Sequence, residues 1–122
     1  MIGYVSLGTN DMKRASEFYD ALLGCIGKTR IFEQDGFIGW GTSLEEAALT
    51  ITAPYDGNPA TVGNGVMVAV VMPSKEAVDA FYARALELGA TDEGAPGPRG
   101  EGFYAGYFRD LDGHKLNAFF MG

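Results

Sequence analysis

The sequence predicts an α+β fold made of two copies of one β-α-β-β-β unit, and three observations predict it. The pair Phe18-Tyr19 recurs at Phe81-Tyr82, an offset of about 63 residues. At the same offset Tyr4 maps onto Met67, and Asp11, a residue type that caps helix N-termini, maps onto Ser74, another one. A unit of about 60 residues is longer than a solenoid repeat, so two modules sharing one sheet-lined core are the expected product. The first module is expected over about 1–56, a linker over 57–64 and the second module over about 65–122, all within one domain.

Each element has a local reason. Ile2 to Leu7 is rich in β-formers and is stopped by Gly8-Thr9-Asn10, which predicts a strand and a turn. After Asp11, the residues Met12, Ala15, Tyr19, Leu22 and Leu23 put an apolar stripe on one helical face, with Gly24 or Gly27 as the stop. Strands are expected over Lys28 to Phe32, Phe37 to Gly41 and Ala47 to Ala53, the first two joined by the hairpin turn Asp35-Gly36. Pro54 to Gly65 has turn chemistry and little periodicity, as a connection between modules should. The second copy opens with the β-branched run Val66 to Met72, and Ser74 then caps a helix carrying Val78, Phe81, Tyr82, Ala85 and Leu88 that stops at Gly89. Thr91 to Gly102, with its Gly and Pro residues, is too broken for an ordinary long strand and is expected to be a surface loop, with a lid as one use for it. Phe103 to Arg109 and Lys115 to Met121 close the unit as two strands about an Asp-Gly turn.

Composition bounds the function. The chain has 122 residues, 47% of them apolar, which is enough for one real core. Its net charge of −7 argues against nucleic acid, whose phosphates select basic faces. No apolar stretch reaches the ~20 residues of a membrane helix, and the N-terminus lacks the basic segment of a signal peptide. Cys25 is the one cysteine, so a reducing, cytoplasmic setting is expected, with Cys25 as a small buried filler.

The segments GYVSLGTNDMKRASEFYDALLG, GNGVMVAVVMPSKEAVDAFYARALELGA and YFRDLDGHKLNAFFM together resemble the vicinal oxygen chelate superfamily, the group of glyoxalase I, bleomycin-resistance proteins and extradiol dioxygenases. The closing D-x-D-G-H-K-L-x-A is the most specific part, although Leu111 stands where the family usually has Pro. The resemblance implies that the modules form a curved mixed sheet around a cleft, and that the protein is a homodimer. In metal-dependent members four cleft positions supply ligands, His, Gln or Glu. Matched motif by motif, these positions fall on Tyr4, Thr50, Met67 and Asn117. None is an imidazole or carboxylate, which hard divalent ions require, and a Met thioether suits soft ions instead. No cofactor is therefore expected, and a tight divalent-metal site is not.

The resemblance adds Tyr107 as a cleft residue, and alternation along the strands adds Phe103 beside it and Phe119 beside Asn117. Trp40 and Phe37 are further candidates, but their opposite parity keeps them from one face unless a bulge intervenes. Arg99 and Arg109 could meet an anionic group. His114, the one histidine, sits in the closing turn, where a structural role is expected, so no general base is evident at the matched positions. The leading expectation is metal-independent binding of a small aromatic or cationic molecule, in the manner of a bleomycin-resistance protein. The alternative is a lyase, isomerase or dioxygenase of the glyoxalase I type that uses an atypical metal site or none. A domain with a vestigial cleft, valued for its partners, is a third reading.

Overall fold

A computed structural model describes residues 1–122 as two compact units, Met1–Val62 and Gly63–Gly122. Unit 1 contains β1 (Tyr4–Gly8), α1 (Met12–Gly24), β2 (Thr29–Gln34), β3 (Phe37–Gly41) and β4 (Ala48–Thr52). Unit 2 contains β5 (Met67–Val71), α2 (Lys75–Glu87), β6 (Thr91–Pro98), β7 (Phe103–Arg109) and β8 (Lys115–Met121). Each is the expected β-α-β-β-β module, with sheet order β1-β4-β3-β2 in one and β5-β8-β7-β6 in the other. The first strand of each module runs parallel to the last, and the remaining pairs are antiparallel.

The capping logic holds at both helices. The Asp11 carboxylate accepts from the Arg14 N–H, and the Ser74 hydroxyl oxygen accepts from the Ala77 N–H, so each satisfies an otherwise orphan donor. Gly89 takes a φ of +102° just beyond α2, where a residue with a Cβ would be strained.

Each helix covers one face of its own sheet. In unit 1 Ala15, Phe18, Tyr19, Leu22 and Leu23 are buried with Leu7, Ile38, Trp40 and Ile51, and the Tyr19 and Trp40 rings lie 5.7 Å apart. Trp40 thus belongs to the helix side, where its indole N–H donates to Asp20 at 2.9 Å. Arg30 donates twice to the same carboxylate, at 2.9 and 2.8 Å, and holds it below the usual carboxylate range. In unit 2 Val78, Phe81 and Ala85 are buried with Phe108, Leu116 and Ala118, and the Phe81 and Phe108 rings are 6.1 Å apart. Two tyrosines tie α2 to its sheet at 2.6 Å each: Tyr104 donates to Asp79, and Tyr82 to Asp92.

Two sequence expectations are corrected. The stretch read as a loop is largely the strand β6, paired with β7 from Thr91 to Pro98. Its register slips between Asp92 and Gly94 and again between Gly94 and Gly97. The prolines are tolerated because β6 is an edge strand, where a missing N–H costs no ladder bond. Cys25 is exposed rather than buried, its thiol turned back to the Ala21 carbonyl of the preceding helical turn.

Candidate functional site

With a helix on one face, each sheet has a second face without one. Strand register decides which residues occupy it, since directly paired residues point to the same side. In unit 1 Tyr4 pairs with Ala48, Ser6 with Thr50, and Gly39 with Thr50. Phe37 and Phe32 fall on the same side, through their pairings with Thr52 and Gly39. Tyr4, Phe37 and Phe32 form a chain of edge-to-face contacts, with ring centres 6.0 and 5.4 Å apart, a favoured geometry for aromatic quadrupoles. Gly39 makes this possible: a Cβ there would stand 2.7 Å from the Phe32 ring and 3.0 Å from the Thr50 methyl. Thr50 is fully buried, and its hydroxyl donates to the Val5 carbonyl at 3.1 Å, so it serves the sheet itself.

In unit 2 the same rule gathers Met67, Ala69, Lys115, Asn117, Phe119, Phe103 and Tyr107 on the open face. Phe103 and Phe119 stack with ring centres 5.6 Å apart. Asn117 lies directly opposite Tyr107 across the β7–β8 ladder and is 2% exposed. Its Oδ1 is buried without any hydrogen-bond partner, alone in this among the side-chain polar atoms of the chain. Such an orphan costs about 1–3 kcal/mol, so it is kept at the expense of stability.

The face also carries charge. Lys115 Nζ lies 5.4 Å and Arg99 Cζ 5.5 Å from the centre of the Tyr107 ring. Arg99 is held by backbone carbonyls, donating to Ala95 at 2.7 Å and Pro98 at 3.3 Å. Arg109 pairs with Glu93 and donates to the Gly113 carbonyl, and this pairing, with Lys115 nearby, holds the Glu93 carboxyl below its ordinary range. The Glu93 carboxylate beside Lys115 is thus already engaged by Arg109 and is not free to serve as counter-charge to a cationic ligand.

Of the seven residues singled out from sequence, Tyr4 and Thr50 lie on the open face of unit 1 and the other five on that of unit 2. Lys115 was missed, though it lies two residues before Asn117 and strand alternation alone would have found it. Phe32 was missed for a different reason, and with it the close approach it makes to Gly39. The register slips between Arg30 and Phe32, so simple alternation along β2 assigns Phe32 to the wrong side.

The four positions matched to metal ligands do not suit a divalent ion. They offer a phenol, a hydroxyl already donating to a carbonyl, a thioether and an amide, whereas hard and borderline ions take carboxylate or imidazole donors. No group of three or more His, Cys, Asp or Glu is gathered anywhere so as to hold a metal. A hollow of about 70 Å³ lies where the β6–β7 turn meets the C-terminus, lined by Lys75, Pro98, Phe103 and Tyr104. It is too small for an organic ligand, which needs several hundred Å³.

Known proteins agree with this geometry. The family model described as Glyoxalase/Bleomycin resistance protein/Dioxygenase superfamily matches residues 1–118. A glyoxalase/bleomycin resistance protein from Albidiferax ferrireducens is 36% identical, with a TM-score of 0.89 over 98% of this chain and 97% of its own. A glyoxalase/bleomycin resistance protein/dioxygenase family enzyme from Burkholderia phytofirmans is 21% identical, with a TM-score of 0.78 over 96% and 95%. Lactoylglutathione lyase from Agrobacterium tumefaciens is 18% identical, with a TM-score of 0.71 over 98% and 92%, a likeness of fold. No curated protein matches the sequence. No helix is long and apolar enough to cross a membrane.

Proposed function

Because the chain belongs to the glyoxalase/bleomycin resistance protein/dioxygenase superfamily, we propose that it uses the family fold to bind a small aromatic molecule without a metal ion or other cofactor. The observation that carries this reading is the orphaned Asn117 Oδ1 on a sheet face furnished with Tyr107 and the stacked Phe103 and Phe119. A few polar groups among rings are what small-ligand sites are made of. A buried amide oxygen left unsatisfied in the free protein has a hydrogen bond to accept, and a ligand bearing a donor recovers the stability that the free protein forgoes. Rotating the amide by half a turn exchanges acceptor for donor, so the position serves either kind of ligand group.

Binding is favoured over catalysis by the residues themselves. Proton-transfer chemistry wants an imidazole or carboxylate poised near neutral pH, and none stands among the seven candidate positions. Homodimer formation, which the family resemblance implies, belongs to the same proposal.

The test has two parts. Untagged protein is offered Ni²⁺, Mn²⁺, Fe²⁺ and Zn²⁺, and retained metal is read by mass spectrometry; the expected result is far below one ion per chain. Stoichiometric retention would overturn the metal-free reading. 2-Naphthalenemethanol is then titrated into ¹⁵N-labelled protein, with saturable shifts expected at the Asn117 side-chain amide and the Tyr107 backbone amide. As a positive control, Met67→His with Asn117→Glu places an imidazole and a carboxylate on the same sheet face and should create Ni²⁺ or Zn²⁺ binding by calorimetry. If native and doubly substituted protein bound these ions alike, the matching of positions would be wrong.

A further inference from the structure

We propose that the ligand of the unit 2 face is an aromatic anion, a flat ring bearing one carboxylate or a similar charge. This rests on the small-molecule reading above and narrows it, replacing the cationic ligand expected from sequence.

The chain as a whole carries a net charge of −7, so a random patch of its surface is expected to be acidic. The open face of unit 2 runs the other way. Arg99 and Lys115, from different elements, converge on the Tyr107 ring at 5.5 and 5.4 Å, and neither is paired with a carboxylate. Glu93, whose carboxyl feels the Lys115 charge, is itself bonded to Arg109. Two cations set over one aromatic ring repel each other. That arrangement is stable beside Tyr107, whose quadrupole attracts both, and it becomes more favourable when an anion lies between or beside them.

The second observation is Asn117, whose buried Oδ1 has no partner and whose strand position faces Tyr107 directly; a carboxylate cannot donate to that oxygen, so the amide meets it by rotating half a turn and donating its N–H. Arg99, on the exposed β6–β7 connection, rests on the Tyr107 ring and on two carbonyls of its own segment, none of them a counter-charge, so it can turn onto a bound anion. The ring of the ligand would lie against Tyr107 and the stacked Phe103 and Phe119. A guanidinium and an ammonium together suit a carboxylate, the first by its planar fork and the second as a point charge.

Three probes with one ring system separate the terms: 2-naphthoate, 2-naphthalenemethanol and 2-naphthylmethylammonium, of charge −1, 0 and +1. Attraction at about 5 Å through a water-like dielectric is worth about a fourfold gain per cation. At low salt 2-naphthoate should therefore bind roughly tenfold more tightly than the alcohol, and the ammonium more weakly than either. Salt of about 1 M shrinks the Debye length to about 3 Å and should remove most of the preference. Arg99→Gln and Lys115→Gln should each shrink the preference for naphthoate over the alcohol about three- to fivefold, with unchanged amide spectra outside the face showing that both variants fold.

If the three probes bound within twofold of one another while still shifting the Asn117 amide, the anion proposal would fall and the binding face would stand. Preference for the ammonium would overturn it in the same way. If no probe shifted Asn117, the small-molecule reading and this inference would fail together.

Discussion

At the scale of single residues, Asn117 carries the most information. Its position was legible because the D-L-D-G-H-K-L turn fixes the register of β8. Its orphaned amide was not, because satisfaction depends on what β5, β7 and their side chains bring near it, which no local pattern encodes. The physical consequence is testable. Asn117→Leu replaces an unsatisfied polar group by an apolar one with the same branching and should raise the stability of the free protein by about 1 kcal/mol, read from the urea midpoint. A loss of stability instead would mean that the amide has a partner in solution. Gly39 makes the complementary case. Its φ is unremarkable and its need for glycine comes from a neighbour, Phe32, brought to it by a bulge. Gly39→Ala should cost about 1–3 kcal/mol by pushing that ring off the sheet; an unchanged urea midpoint would show that the ring yields freely.

At the scale of elements, helices were the easiest to read, since Asp11 and Ser74 each precede an apolar stripe and both cap as their chemistry demands. Strands β7 and β8 were equally plain. β6 was hidden because Gly94, Pro96, Gly97 and Pro98 suppress every strand signal, and only pairing with β7 overrides them. The α2–β6 junction has its own pH signature. Burial first, and then the bond to Asp92, push the Tyr82 hydroxyl up to about 12, while that same bond, followed by the Gly94 N–H, holds Asp92 below its usual range. In the unfolded chain a tyrosine ionises near 10 and an aspartic acid near 4. The Tyr82 contribution is therefore whole below about pH 10 and is lost as pH rises towards about 12. The Asp92 contribution is whole above about pH 4 and is lost as pH falls through its lowered value. The stability gap between native protein and Tyr82→Phe should thus be widest near neutral pH and narrow above pH 10, as urea midpoints across that range would report. A gap of constant size up to pH 12 would rule the linkage out.

At the scale of the molecule, the duplication was legible from the Phe-Tyr pairs together with the Tyr4/Met67 and Asp11/Ser74 matches at the same offset, and the two units match it in strand order and helix placement. The ligand was not legible, because net charge averages over a surface on which one face has the opposite sign. Apolar side chains remain exposed on β1, on β5 and just before it, among them Tyr4, Val71 and Val66, an amount of open apolar surface that association would cover. Sedimentation equilibrium should accordingly report a dimer at micromolar concentration, and a monomer throughout would remove homodimerisation from the proposal. The two edges of each sheet differ in a way that governs what such association can become. β2 carries Arg30, Glu33 and a bulge, and β6 carries two prolines and two register slips, all of them features that reject an incoming strand. β1 and β5, the opposite edges, have no charged residue, no proline and no bulge. A sheet that can be extended on one side only is a terminator: joined to another such sheet it closes the ladder, and no continuous cross-β ribbon can run through it into an amyloid-like filament.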